Sequence, residues 1–237
     1  MGSLILLKMG NALPSLRSRR GDFEDWIAAG TALARTEFEV IDVPARADLP
    51  PLDGAAGVIV SGSHTMVTER RDWSERAAVW LRGAVSRAVP VLGICYGHQL
   101  LAHACGGEVG ANPKGREFGT VQVELEEAGR TDELLGELPG TFPAHMGHAQ
   151  SVLRLPPAAV RLASNAWDGN QAFRIGPRAW GIQFHPEFDA DIVREYVDHY
   201  RAELSAEGQD PETLGRTAAD NPLGGMILRR FVRLCRP

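Results

Sequence analysis

Cys95 stands between Gly93 and Gly97, four residues before Gln99, in the run VLGICYGHQLLAHACGG. Val91, Leu92 and Ile94 read as a buried parallel strand. Residues 96–105 read as a helix that Gly106 and Gly107 stop. A thiol at that joint leaves the sheet edge at a helix N-terminus, where free N–H groups and the helix dipole favour thiolate. The flanking glycines let the chain turn sharply without Cβ clashes. This is the geometry of a nucleophile elbow with cysteine in place of serine. A thiolate held there is a covalent catalyst that needs a base.

Among the seven histidines, His185 has the setting of that base. It follows the apolar run Trp180-Gly181-Ile182-Gln183-Phe184 and precedes Pro186-Glu187. Residues i and i+2 of an extended segment face the same side, and Pro186 fixes φ between them. Glu187 can therefore accept a hydrogen bond from one imidazole nitrogen while the other faces the thiol. Cys95 and His185 both fall just beyond the carboxyl ends of predicted strands, where open α/β sheets place their ligand sites.

The elements that must hold these residues alternate through the first half. Residues 4–7 read as a strand. Asp22 offers an N-cap to a helix whose face carries Phe23, Trp26, Ile27 and Gly30. Residues 38–43 and 58–60 read as strands, the latter running into the turn Ser61-Gly62-Ser63. Trp73, Ala77, Trp80, Leu81, Ala84 and Ala88 form a helix stripe that Pro90 ends. This βαβ alternation implies right-handed parallel units. Beyond residue 105 the pattern shifts to short strands at 121–125, 152–155, 160–163, 171–175 and 180–184, an antiparallel extension. The expectation is a single α/β domain over 1–237, its mostly parallel central sheet flanked by helices. Its tail, about 205–237, is helical, with a last helix at 226–234 after a helix at 191–204 and a polar loop at 205–211.

The chain has 237 residues, a net charge of −5 and three cysteines. That charge gives no basis for nucleic-acid binding, and the cluster Arg17, Arg19, Arg20 reads as a solvated loop. Cys95, Cys105 and Cys235 are too few and odd in number for a disulfide framework, so a reducing cytoplasm is expected. The apolar start is too short for a signal peptide or a membrane span. Cys105 reads as structural, at a helix end, and Cys235 as helix packing. His98 and His103 lie five apart and miss the spacing of a helical zinc pair. His145 and His148 lie three apart in a predicted loop. No metal or other cofactor is expected.

GICYGHQ at 93–99 and FHPE at 184–187, in that order and about 90 residues apart, resemble the two signatures of the class I glutamine amidotransferases. REFG at 116–119 is similar to the GMP-synthetase subgroup. The stretch from Ser61 to GGEVG is also similar to plant-type γ-glutamyl peptidases of the class. The resemblance spans residues 4 to about 200 and implies a flavodoxin-like fold that hydrolyses a side-chain amide. Cys95 would form a γ-glutamyl thioester, His185 would move protons and Glu187 would hold His185. Backbone at Tyr96, Gly62 and Ser63 would form the oxyanion hole. Gln99, with Gly147, His148 and Gln150, would bind the glutamyl portion, and Gln171 and Phe173 would support the triad.

Two positions depart from the family's pattern. Gly62-Ser63-His64 stands where the family has Gly-Gly-Pro. Gly147-His148-Ala149-Gln150 replaces Ser-His-x-Asp, and a neutral Gln150 holds a substrate ammonium less strongly than Asp. His64 lies beside the presumed oxyanion turn and reads as an exposed loop histidine. No acceptor domain is expected after residue 200. Three functions follow: a glutaminase that passes ammonia to a separate synthase subunit, a free-standing γ-glutamyl hydrolase, or a non-catalytic regulatory module. The intact Cys95, His185 and Glu187 argue against the last.

Overall fold

The computed structural model describes residues 2–46 and 48–236. Met1 and Pro237, the ends of the expected domain, lie outside them. The first half runs β1 (Ser3–Lys8), α1 (Pro14–Arg20), α2 (Phe23–Thr31), β2 (Phe38–Asp42), β3 (Ala55–Val60), α3 (Asp72–Ser86), β4 (Val91–Ile94) and α4 (Tyr96–Ala104). Next come β5 (Glu108–Ala111), β6 (Glu117–Leu125), α5 (Glu127–Arg130), β7 (Thr141–His148), β8 (Gln150–Arg154), β9 (Ala159–Ser164), β10 (Ala172–Ile175) and β11 (Ala179–Ile182). The tail holds α6 (Ala190–His199), α7 (Arg201–Ala206), α8 (Pro211–Thr217) and α9 (Leu223–Cys235).

Nine strands form one sheet in the order β2-β1-β3-β4-β11-β10-β9-β6-β7, and β5 pairs with β8 separately. The strands from β2 through β11 are parallel, and each pair beyond β11 is antiparallel. The parallel half is covered on both faces, which is why β4 and β11 are apolar throughout. Alternate residues of β1 divide the core. Leu4 and Leu6 pack with Ile27 of α2 and Phe231 of α9, while Ile5 and Leu7 pack with Leu81 of α3 and Leu100 of α4. The fold class is as expected, α/β with an antiparallel extension.

Four local expectations are corrected. Arg17, Arg19 and Arg20 belong to α1 rather than a solvated loop: Pro14 starts the helix, and Arg19 and Arg20 pair with Glu195, Asp189 and Asp191 around α6. His145 and His148 lie on β7, not in a loop, because β6 pairs with Thr141–His148 along its whole length. The helix at 191–204 bends at Tyr200 (φ −98°, ψ 17°), and the 205–211 loop gives way to α8, which Asp210 caps. α3 stops at Ser86, before Ala88, whose φ of 53° is left-handed.

Cys235 packs as expected. A Cβ on Gly57 of β3 would lie 2.2 Å from its Sγ. Among the described residues, no helix is long and apolar enough to cross a membrane.

Candidate active site

The register of β4 and β11 sets the geometry. Gly93 pairs with Gly181 and Ile94 with Ile182, and the Cys95 N–H donates to the Ile182 carbonyl at 2.9 Å. Two neighbouring parallel strands end together. One delivers Cys95 and the other, three residues on, delivers His185.

Cys95 caps α4 with φ 51° and ψ −100°. A non-glycine residue in such a region costs about 1–3 kcal/mol and persists only where its surroundings impose it. Here the imposition is close packing. A Cβ on Gly93 would lie 2.4 Å from the Gly97 carbonyl oxygen, and one on Gly97 would lie 2.4 Å from that of Val60. The first turn of α4 therefore rests on the end of β3, its leading N–H groups without intrahelical partners. Gly97→Ala must push α4 off β3, and we expect a loss of about 1–3 kcal/mol or more, read as a lower urea midpoint.

His185 Nδ1 lies 2.8 Å from Glu187 Oε1, and the imidazole lines the same cleft as Cys95. Its backbone N–H donates to the His145 carbonyl at 2.9 Å, which fixes the segment against β7. The ring stacks on Phe188 at 3.9 Å and 11°, with Phe23 parallel at 6.4 Å. Burial works against charge on the imidazole. The negative charge of Glu187 and its hydrogen bond, with Cys95 close by, outweigh it, raising the His185 pKa to about 10.

The cleft above this group is closed by the antiparallel arm. β7 lies five strands from β4 in sheet order, yet the Gly147 carbonyl is 3.9 Å from Cys95 Sγ. The sheet curls until β7 and the start of β8 overhang the ends of the parallel strands.

Gln99, His148 and Gln150 meet there. Gln99 Nε2 donates to the Gln150 carbonyl at 2.7 Å and to Gln183 Oε1 at 3.0 Å. The two ring nitrogens of His148 face the Gln150 carbonyl and Glu117 Oε2, each at 2.9 Å. Glu117 also accepts from Gln171 at 2.7 Å and Asn165 at 2.6 Å. Gln150 Nε2 donates to Thr68 at 2.6 Å, and its buried Oε1 has no partner among the described residues.

A family model described as glutamine amidotransferase class-I matches residues 22–195. The chain belongs to the class-I glutamine amidotransferase family. A GMP synthase [glutamine-hydrolyzing] from Aeropyrum pernix is 40% identical over 156 residues, covering 65% of this chain and 29% of that protein. Gamma-glutamyl peptidase 3 from Arabidopsis thaliana is 32% identical over 168 residues, 68% of this chain and 66% of that one. The chain thus spans under a third of that synthase and about two thirds of the peptidase. A glutamine amidotransferase from Thermotoga maritima shares the fold, with a TM-score of 0.78 over the whole of both chains at 23% identity.

For an amidotransferase of this class, the turn after β3 is the informative departure. A Cβ on Gly62 would lie 3.0 Å from His185 Cε1, so the turn passes directly beside the imidazole. Ser63 Oγ accepts from the Thr65 N–H at 3.1 Å and stiffens it. Tyr96 faces away, its hydroxyl 2.6 Å from Ser74 Oγ and burial pushing its pKa up to about 12. Only its backbone N–H is then left for the cleft.

His64 is exposed, as expected, yet it lines the cleft, its Nδ1 3.0 Å from the Tyr200 hydroxyl. Gln171 reaches Glu117 rather than the triad, and Phe173 packs on His98 at 4.8 Å. Sequence reasoning missed Phe23, Phe188, Glu117, Thr68, Tyr196 and Tyr200. The FHPEF run and the REFG run held the signals for Phe188 and Glu117, and the other four carry none.

Proposed function

We propose that this chain hydrolyses a γ-glutamyl amide through a thioester on Cys95, with glutamine as the simplest substrate and ammonia as its product. The observation that carries the reading is His185, held by Glu187 at 2.8 Å and opening into the same cleft as Cys95, with that cysteine in a strained turn. Cys95 Sγ attacks the side-chain carbonyl carbon, and the resulting oxyanion lies toward the Tyr96 N–H and the Gly62-Ser63 turn. His185, carrying the thiol proton, gives it to the departing nitrogen as the C–N bond breaks. The neutral imidazole then takes a proton from water, hydroxide attacks the thioester, and the proton returns to sulfur as glutamate leaves. Gln99, Gly147, His148 and Gln150 hold the glutamyl portion.

Likeness to relatives named GMP synthase [glutamine-hydrolyzing] supports a separate synthase as acceptor of the ammonia. The neutral Gln150 favours a second reading, a free-standing γ-glutamyl peptidase. Its unpartnered Oε1 offers the substrate ammonium one neutral acceptor rather than a carboxylate. Glutamate release from glutamine and from γ-glutamyl amides separates the two. The first reading expects glutamine turnover that rises when a synthase partner is supplied. Turnover of γ-glutamyl peptides with none of glutamine selects the second. Release from neither, by a folded protein, removes both.

A further inference from the structure

The cleft has two unlike walls. Gln99, His148 and Gln150 make one side polar. The other is a continuous run of rings that begins at the imidazole. His185 stacks on Phe188 at 3.9 Å, Phe188 on Tyr196 at 5.2 Å and Tyr196 on His64 at 5.6 Å. His64 then meets Tyr200 at 6.4 Å, and Tyr200 meets Phe118 at 5.0 Å. Arg116 lies two residues before Phe118, on the same side of the chain, and also lines the cleft. One of its terminal nitrogens pairs with Glu207, which also accepts its backbone N–H at 2.6 Å. The guanidinium keeps further donors beyond that bond.

We propose that this wall is a leaving-group subsite, and that the preferred substrate is a γ-glutamyl amide of an aromatic amino acid rather than glutamine. The inference rests on the hydrolase reading above. The acid that protonates the departing nitrogen is His185, so that nitrogen lies at His185 and its substituent extends along the rings that start there. Ammonia has no substituent, and a glutamine substrate leaves the open part of that wall, at Tyr200 and His64, against water. A planar side chain stacks on the half-open ring of Tyr200, bordered by the buried rings of Tyr196 and Phe118, and buries its faces there. The carboxylate of the departing amino acid falls toward Arg116 at the end of the run. The bonds balance: the C–N bond breaks as the S–C bond forms, His185 supplies the proton to nitrogen, and water later replaces sulfur. The products are glutamate and the aromatic amino acid.

The test is the ratio of kcat/KM for γ-glutamyl-phenylalanine to that for glutamine. The full chain gives a ratio above ten, and Tyr200→Ala lowers it about fivefold to tenfold, the worth of one aromatic pair. Tyr200→Phe keeps the ring and restores the ratio, which separates stacking from a folding defect. Replacing γ-glutamyl-phenylalanine by γ-glutamyl-phenethylamide removes only the carboxylate. It lowers kcat/KM in the wild type and has no such effect in Arg116→Gln. Equal or better use of glutamine, or a ratio unmoved by Tyr200→Ala, overturns the subsite. Binding to Cys95→Ala reads the subsite apart from turnover, with γ-glutamyl-phenylalanine at least about fivefold tighter than glutamine. No hydrolysis of any substrate with that preference intact overturns the hydrolase reading and spares the subsite; equal binding overturns the subsite.

Discussion

Cys95→Ser is expected to lower γ-glutamyl hydrolysis by on the order of 10⁴-fold or more, as loss of a nucleophile does in comparable triads. The exchange keeps the shape of the side chain and the strained φ of 51°, so the fold and its urea midpoint should hold. The chemistry does not hold. His185 is matched to a thiol, and it is no strong base toward a hydroxyl. Cys105→Ser serves as the control, because Cys105 lies at the far end of α4 and lines no part of the cleft. Steady-state glutamate release checks both variants. A Cys95→Ser protein that retains a tenth of wild-type turnover would remove Cys95 from the reaction.

Glu187→Gln carries the second large effect. Glu187 Oε1 fixes the proton on His185 Nδ1 at 2.8 Å, and its charge holds the imidazolium in a buried site. The amide is nearly isosteric but has no charge, and it can present a donor that turns the ring to the wrong tautomer. Loss of kcat/KM on the order of 10³–10⁴ is expected, by analogy with the aspartate-to-asparagine change in the serine triad.

The same substitution alters how stability depends on pH. The folded-state pKa of His185, about 10, lies above its ordinary value of 6.5. Proton binding to His185 therefore stabilises the fold fully below about pH 6.5, and the contribution is lost as pH rises through about 10. Urea denaturation of the wild type between pH 7 and pH 10 should show this decline, and Glu187→Gln should flatten it. An identical slope in both proteins would mean that Glu187 does not set the charge on His185.

How much of this was legible in the sequence differs by residue. Cys95 and His185 were legible because each follows a strand that is apolar throughout, and such strands are buried parallel ones. Asp22 was legible because its cap is local: its side chain accepts from the Phe23 N–H, and Asp25 answers from within the same turn. β7 was not legible. TFPAHMGH carries a proline, a glycine and two histidines, and it becomes a strand because β6 pairs with it, a contact that no local pattern encodes.

The walls of the cleft were hidden for a related reason. Tyr196 and Tyr200 fall four apart within the helix expected at 191–204, and only the bend at Tyr200 and the packing of α6 against β6 bring them to His64 and Phe118. Glu117 lay in plain view within REFG, but its partner His148 arrives from the other strand of the pair. Residues whose roles follow from their neighbours along the chain could be read, and those whose roles depend on the curl of the sheet could not.

The central claim is that a glutamyl group passes through Cys95. Acid quenching during turnover, followed by mass analysis of the cysteine-containing peptides, tests it directly. The account predicts one added glutamyl group on the Cys95 peptide, released by mild base, absent without substrate and absent from Cys95→Ser. Turnover with that peptide unmodified, or the adduct on Cys105 or Cys235, would contradict it.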